Sequence, residues 1–138
     1  MNRIFCMALA IVILASTHSL GRTISGCQVG PESYCPGVNF MGANLRSVDF
    51  SFSNLEGSRM ESANLMMTNF TGANLQGVNF QSAELRRANF TDADLRNANF
   101  RWAHNIDTAT FDGADLSMAT WSNGRQCQDG STGTCIFQ

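Results

Sequence analysis

Large apolar residues recur at every fifth position through most of this chain. From Val38 to Trp102 thirteen units follow without a break, centred on Phe40, Leu45, Phe50, Leu55, Met60, Leu65, Phe70, Leu75, Phe80, Leu85, Phe90, Leu95 and Phe100. One extra residue then shifts the frame near Ala103, and four more units centre on Ile106, Phe111, Leu116 and Trp121. A period of five matches neither the 3.6-residue helix nor the two-residue strand, and it is not a heptad seam. A chain that turns through about a quarter-circle per unit brings every centre to one axis. The small residue two positions earlier then also faces inward, and the residue between them faces out, because neighbouring extended residues alternate.

The units read as a small residue, Asn or Asp, Leu or Phe, and two variable polar positions. Ala43-Asn44-Leu45-Arg46-Ser47, Ala73-Asn74-Leu75-Gln76-Gly77 and Ala93-Asp94-Leu95-Arg96-Asn97 show the pattern. It resembles the Ala-(Asp/Asn)-Leu-x-x motif of the pentapeptide-repeat family, over residues 38–123. The resemblance implies an all-β fold, a right-handed quadrilateral β-helix (β-solenoid) with four units per coil. Seventeen units then make about four coils, a rod of roughly 20 Å at ~4.8 Å per strand. Taking every fourth centre, Phe40, Met60, Phe80, Phe100 and Trp121 share one wall and Leu45, Leu65, Leu85 and Ile106 the next. Phe50, Phe70, Phe90 and Phe111 share the third, and Leu55, Leu75, Leu95 and Leu116 the fourth. Aromatic and aliphatic ladders therefore alternate around the axis. The break in frame predicts a bulge at 102–105, with His104 near a position that elsewhere holds Ala.

The ends differ in character from the repeat. Residues 1–21 read as an export signal, with Arg3 ahead of the apolar run Ile4 to Ala15 and a small-residue stretch to Gly21. A buried core helix is the competing reading of that run, which is too short to span a membrane. Cleavage between Ala15 and Gly21 removes Cys6 and His18. The four remaining cysteines fall in two pairs of equal spacing, Cys27 with Cys35 and Cys127 with Cys135, one on each side of the repeat. Two local disulfides are the economical pairing and suit an oxidising compartment, periplasmic or extracellular. A zinc site needs two to four residues between paired cysteines, and these are too far apart. A lipid anchor on Cys27, from the loose lipoprotein box Ile24-Ser25-Gly26-Cys27, is the second reading and leaves Cys35 unpaired. Residues 22–37 and 124–138 are thus expected as disulfide-braced caps over the open ends of the solenoid, with Ile136 and Phe137 covering the terminal core.

Composition narrows the function. Nine basic residues, all arginine, stand against eleven acidic ones in 138 residues, and charged residues make up 14% of the chain. That balance lacks the basic footprint of a nucleic-acid binder. His104 is the one histidine outside the leader, too little for a histidine triad or a multi-histidine metal site. The acid pairs Asp92 with Asp94 and Asp112 with Asp115 would need a shared cleft to act as general acid and base, and a rod filled with Leu and Phe provides none. No enzyme activity, metal or cofactor is expected.

Surface columns offer binding instead. Arg46, Met66 and Arg86 fall in one outward column with Met67 and Arg87 beside it, and methionine flanked by arginine suits a protein contact. Phe52 and Trp102 are further candidates, for a partner or for a homodimer. Ser51, Thr71 and Thr91 form a short hydroxyl ladder beside Asp49, Asn69, Asn89 and Thr110, which resembles ice-binding solenoids but is neither paired nor long. Asn69-Phe70-Thr71 and Asn89-Phe90-Thr91 also match the glycosylation acceptor pattern. Some pentapeptide-repeat proteins mimic duplex DNA and protect gyrase, but that needs acid stripes and a cytoplasmic address. The expectation is a non-catalytic exported scaffold acting through an unidentified protein partner or as structural support, with no nucleic acid and no membrane once the leader is removed.

Overall fold

Each repeat unit folds as a tight turn followed by a single extended residue. In the computed structural model, which describes residues 22–137, the N–H of the small residue returns to the carbonyl of the preceding centre. Ala43 N–H reaches Phe40 O at 2.9 Å, and Ala73 reaches Phe70 O at 3.0 Å. The third residue of each such turn has positive φ, as at Gly42 (64°), Ser47 (57°) and Gly57 (65°), which a type II turn demands. The expected leader at 1–21, with Cys6 and His18, lies outside the described residues.

The extended residue pairs with the residue twenty positions on. Among the described residues eleven parallel bridges have this offset, from Tyr34 with Asn54 to Glu84 with His104. Each is flanked by two ladder bonds, such as Leu45 N–H to Asn64 O at 2.8 Å and Asn64 N–H to Ala43 O at 2.9 Å. Four units therefore complete one circuit, and the sheet on each wall is built from isolated bridges. Turns consume the remaining residues, so among the described residues the only continuous strands are β1 (Thr23–Ile24) and β2 (Cys27–Gln28), an antiparallel hairpin before the first circuit.

All centres from Phe40 to Phe100, with Phe111 and Leu116, are buried. On the third wall Phe70 stacks on Phe50 at 5.6 Å and on Phe90 at 5.1 Å, and Phe90 on Phe111 at 5.0 Å, with rings within 7° of parallel. On the first wall Phe80 stacks on Phe100 at 4.9 Å. Opposite walls meet edge to face, as Phe80 meets Phe90 at 5.6 Å and 80°. Both geometries suit the aromatic quadrupole, worth about 0.5–1.5 kcal/mol per pair beyond burial.

The break in frame begins at Asn105, the last residue of the expected 102–105 stretch, and runs past it. Ala103 is still buried at the small-residue position, and His104 still bridges Glu84 at the regular offset. His104 thus stands at an outward Asn/Asp position, not an alanine one. The next bridge, Asn89 with Thr110, has an offset of twenty-one, which Asp94 with Asp115 and Asn99 with Thr120 retain. The extra residue is absorbed by a left-handed Asn105 (φ 55°) and a 3-10 turn at Ile106–Thr108. Ile106, expected as a wall centre, is therefore only half-buried, as is Trp121, whose ring lies 5.3 Å from Phe111 and 5.6 Å from Phe100.

Both expected disulfides are formed, Cys27–Cys35 with Cα atoms 5.5 Å apart and Cys127–Cys135 at 5.0 Å. The ladder begins inside the expected cap: Tyr34 bridges Asn54, and buried Cys35 takes a centre position with its N–H on Asn54 O at 2.8 Å. Two buried serines replace alanine beneath it. Ser53 accepts from Ser33 N–H and donates to Gly30 O, while Ser58 accepts from Val38 N–H and donates to Cys35 O. Side chains also occupy exposed edge carbonyls, Arg22 Nη1 on Asn44 O at 2.7 Å and Ser25 Oγ on Asn39 O at 2.8 Å. At the other end the chain folds back and bridges the last circuit antiparallel, Thr120 with Gln126 and Asp115 with Thr132. There Cys127, Cys135 and Ser131 are buried and Phe137 is half-buried, but Ile136 points outward, 52% exposed.

Candidate interaction surface

Outward side chains fall into columns because every circuit repeats the same turn. Between the second and third walls one corner carries Arg46, Met66 and Arg86 at the first turn position and Ser47, Met67 and Arg87 at the second. Arg46 Nη1 lies 3.8 Å from Met66 Sδ, one circuit below. With about 4.8 Å per circuit, Arg46 and Arg86 stand roughly 10 Å apart across the two methionines. All five residues of the predicted patch are thus brought together; Met66 is half-buried and the other four are exposed.

One property distinguishes this corner. Among the described residues the ion pairs join Arg59 to Glu61, and Arg96 to Asp94 and Asp115, so Arg46, Arg86 and Arg87 take no part. Glu84, on the adjoining wall, is already satisfied: both its oxygens accept from Asn105 Nδ2, and Oε1 accepts the backbone N–H of Arg86. Its backbone conformation is that of the other corners, where the third residue of each turn is left-handed. Met67 (φ 58°) and Arg87 (φ 57°) occupy the left-handed position that Gly42, Gly57, Gly72 and Gly77 fill elsewhere. A side chain there costs about 1–2 kcal/mol relative to the right-handed region.

Phe52 and Trp102 share that strained position, at φ 57° and 59°. Phe52 is 67% exposed, and its ring lies over Gly72, where a Cβ would fall 2.7 Å from two ring carbons. Trp102 is 53% exposed and carries the Arg101 guanidinium 4.4 Å from its ring centroid. They stand on different corners from each other and from the Arg–Met column. Tyr34, 76% exposed at an outward position, is a surface aromatic the sequence reading missed; its signal is a place twenty residues before Asn54.

The other singled-out groups are engaged in the ladders. Thr71 and Thr91 each donate to the Oδ1 of their own Asn69 and Asn89 at 2.6 Å. Asn89 Nδ2 donates to Thr71 Oγ1, and Asn69 Nδ2 to Asp49 Oδ1 at 3.0 Å. These hydroxyls and amides bind along the rod. The backbone and side-chain donors of Ser51, followed by Asn69, hold the Asp49 carboxyl below the usual carboxylate range. The Arg96 guanidinium beside Asp94 does the same there, helped by the Arg96 backbone N–H. Asp92 and Asp112 are exposed turn residues, whereas Asp94 and Asp115 face out from one wall around Arg96.

Hollows occur at the two ends, about 250 Å³ beside Met118, Arg125, Gln126 and Cys127 and about 810 Å³ along residues 26–35. Among the described residues no group of three or more His, Cys, Asp and Glu could hold a metal ion, and no helix is long and apolar enough to cross a membrane.

A family model described as "Pentapeptide repeat region" matches residues 36–111. Among solved structures the chain is similar to HetL, a pentapeptide repeat protein involved in heterocyst differentiation regulation from the cyanobacterium Nostoc sp. strain PCC 7120. The identity is 30%, the TM-score 0.65, and the match covers 67% of this chain and 42% of HetL. It is also similar to alr5209, a pentapeptide repeat protein from the same cyanobacterium, at 34% identity and a TM-score of 0.57, covering 59% of this chain and 66% of that one. The chain therefore spans less than two thirds of the length of either. None of the curated proteins matches it.

Proposed function

The chain belongs to the pentapeptide-repeat family, and on that premise we propose that it is a non-catalytic exported scaffold that binds a protein partner through Arg46, Met66, Met67, Arg86 and Arg87. One observation carries the reading: three guanidinium groups, without an ion-pair partner among the described residues, flank exposed methionine on one corner. Polarizable methionine supplies adaptable apolar area, and arginine supplies forked donors for carboxylates. The remaining features of the reading are a right-handed quadrilateral rod of about four coils, capped at 22–37 and 124–138, and a periplasmic or extracellular address after loss of the leader. The two disulfides support an oxidising compartment.

The DNA-mimic alternative is disfavoured by the arginine corner, which breaks any continuous acidic surface. Ice binding is disfavoured because the hydroxyls of Thr71 and Thr91 already serve Asn69 and Asn89.

Photo-crosslinking in the native compartment tests the proposal. A crosslinker at Met67 should trap one discrete partner, whereas the same group at Gly77, the equivalent turn position on another corner, should not. Equal labelling from both positions, or none from Met67, overturns it.

A further inference from the structure

The walls of the rod differ in charge, and the difference runs across the axis. The second wall and the corner it shares with the third carry Arg46, Arg86 and Arg87 against Glu84 and, one circuit on, Asp107, and Arg22 reaches onto the wall through Asn44. The fourth wall lies opposite. Its outward column ends in Asp94 and Asp115, Glu56 lies on one edge, and Glu32 and Asp92 on the other. Arg96 is its one internal countercharge, shared between Asp94 and Asp115.

The spacing on the two sides also matches. Arg46 and Arg86 are forty residues apart, two circuits, with Met66 and Met67 midway. On the near edge of the fourth wall Phe52 and Asp92 are likewise forty residues apart, and Gly72 lies midway beneath the Phe52 ring. Both columns run on the same circuit pitch, so a match at one level repeats at the next.

We infer that copies of this chain pack side by side and parallel, the Arg–Met corner of one against the Phe52–Asp92 corner of the next. Arg46 then covers the Phe52 ring, as Arg101 covers Trp102 within one chain. Met66 and Met67 lie against the flat backbone at Gly72, and Arg86 and Arg87 meet the exposed Asp92 carboxylate. The contact joins two different surfaces, so it does not close into a symmetric dimer but leaves a free surface at each end for further copies. A wall this short gives a weak contact carried largely by charge, and so a salt-sensitive one.

Sedimentation of the purified, disulfide-intact protein tests this without the partner proposed above, so either reading can fail alone. At low salt the weight-average mass should climb with concentration past that of a dimer and fall back to monomer at high salt. A doubly reversed variant, R86E with R87E, should stay monomeric, and so should D92R, with unchanged circular dichroism in both. Mixing the two should restore association, because the acidic corner of the first meets the basic corner of the second. A wild-type protein that stays monomeric at low salt, a mass that plateaus at the dimer, or a mixture that does not associate overturns the inference.

Discussion

Met67 shows most sharply what a periodic sequence conceals about single residues. Its place in the repeat is plain, but its left-handed backbone (φ 58°) depends on the turn, and the code for that turn is visible only where the position holds glycine. Met67→Gly should therefore raise stability by about 1 kcal/mol in chemical denaturation; a loss of stability would show that Met67 makes packing contacts. Ser58 was hidden for a different reason. It reads as one more small inward residue, yet it joins Val38 N–H to Cys35 O in the first rung. Ser58→Ala should cost about 1–3 kcal/mol, because it leaves a buried donor and acceptor unpaired, whereas Ser62→Ala, exposed at a turn, should change little. The wall centres were legible because one requirement, an apolar side chain on the axis, acts on each of them alike. Asp49 and Asp94 set the pH response. Both are held below the ordinary carboxylate value of about 3.9, so the stability they contribute is complete above that value and is lost as the pH falls through their lower folded values. Melting temperature should be flat above about pH 5 and fall in more acid solution. Asp94→Asn should shrink the fall, and an unchanged acid limb would show that the Arg96 contact contributes nothing.

Each circuit satisfies its backbone from the circuits above and below, so the ends are where stability is decided. The cysteine spacing made the two disulfides legible, but not the way each works. Cys35 lies within the ladder as a centre, while Cys127–Cys135 braces a segment that runs back antiparallel over the last circuit. Closing loops this short contributes about 2–3 kcal/mol each in the chain-entropy model. Reduction should lower the melting temperature and leave most of the β signal in circular dichroism, and an unchanged melting curve would show that the loops do not act as staples. Spacing puts the frame break too early because His104-Asn105-Ile106 reads as a unit centred on Ile106, whereas the ladder keeps Ala103 and His104 in the regular register. Hydrogen bonding decides it: His104 N–H stays on Ala83 O at 2.8 Å, and the slack passes into residues 105–109.

For the molecule as a whole, architecture was far easier to derive than task. The five-residue period constrains the core completely but leaves the turn positions free, and those are the residues that meet other molecules. The Arg–Met corner could be assembled from the sequence once four units per circuit were assumed. Its lack of ion-pair partners and its complementarity to the opposite wall depend on which side chains meet across circuits. The stacked core and its outward columns depend on the twenty-residue circuit, which through-space NMR of labelled phenylalanine rings tests most directly. Phe70 should show cross-peaks to Phe50 and Phe90, whose rings lie 5.6 and 5.1 Å away. A spectrum in which Phe70 contacts neither would contradict the stacked core and every column derived from it.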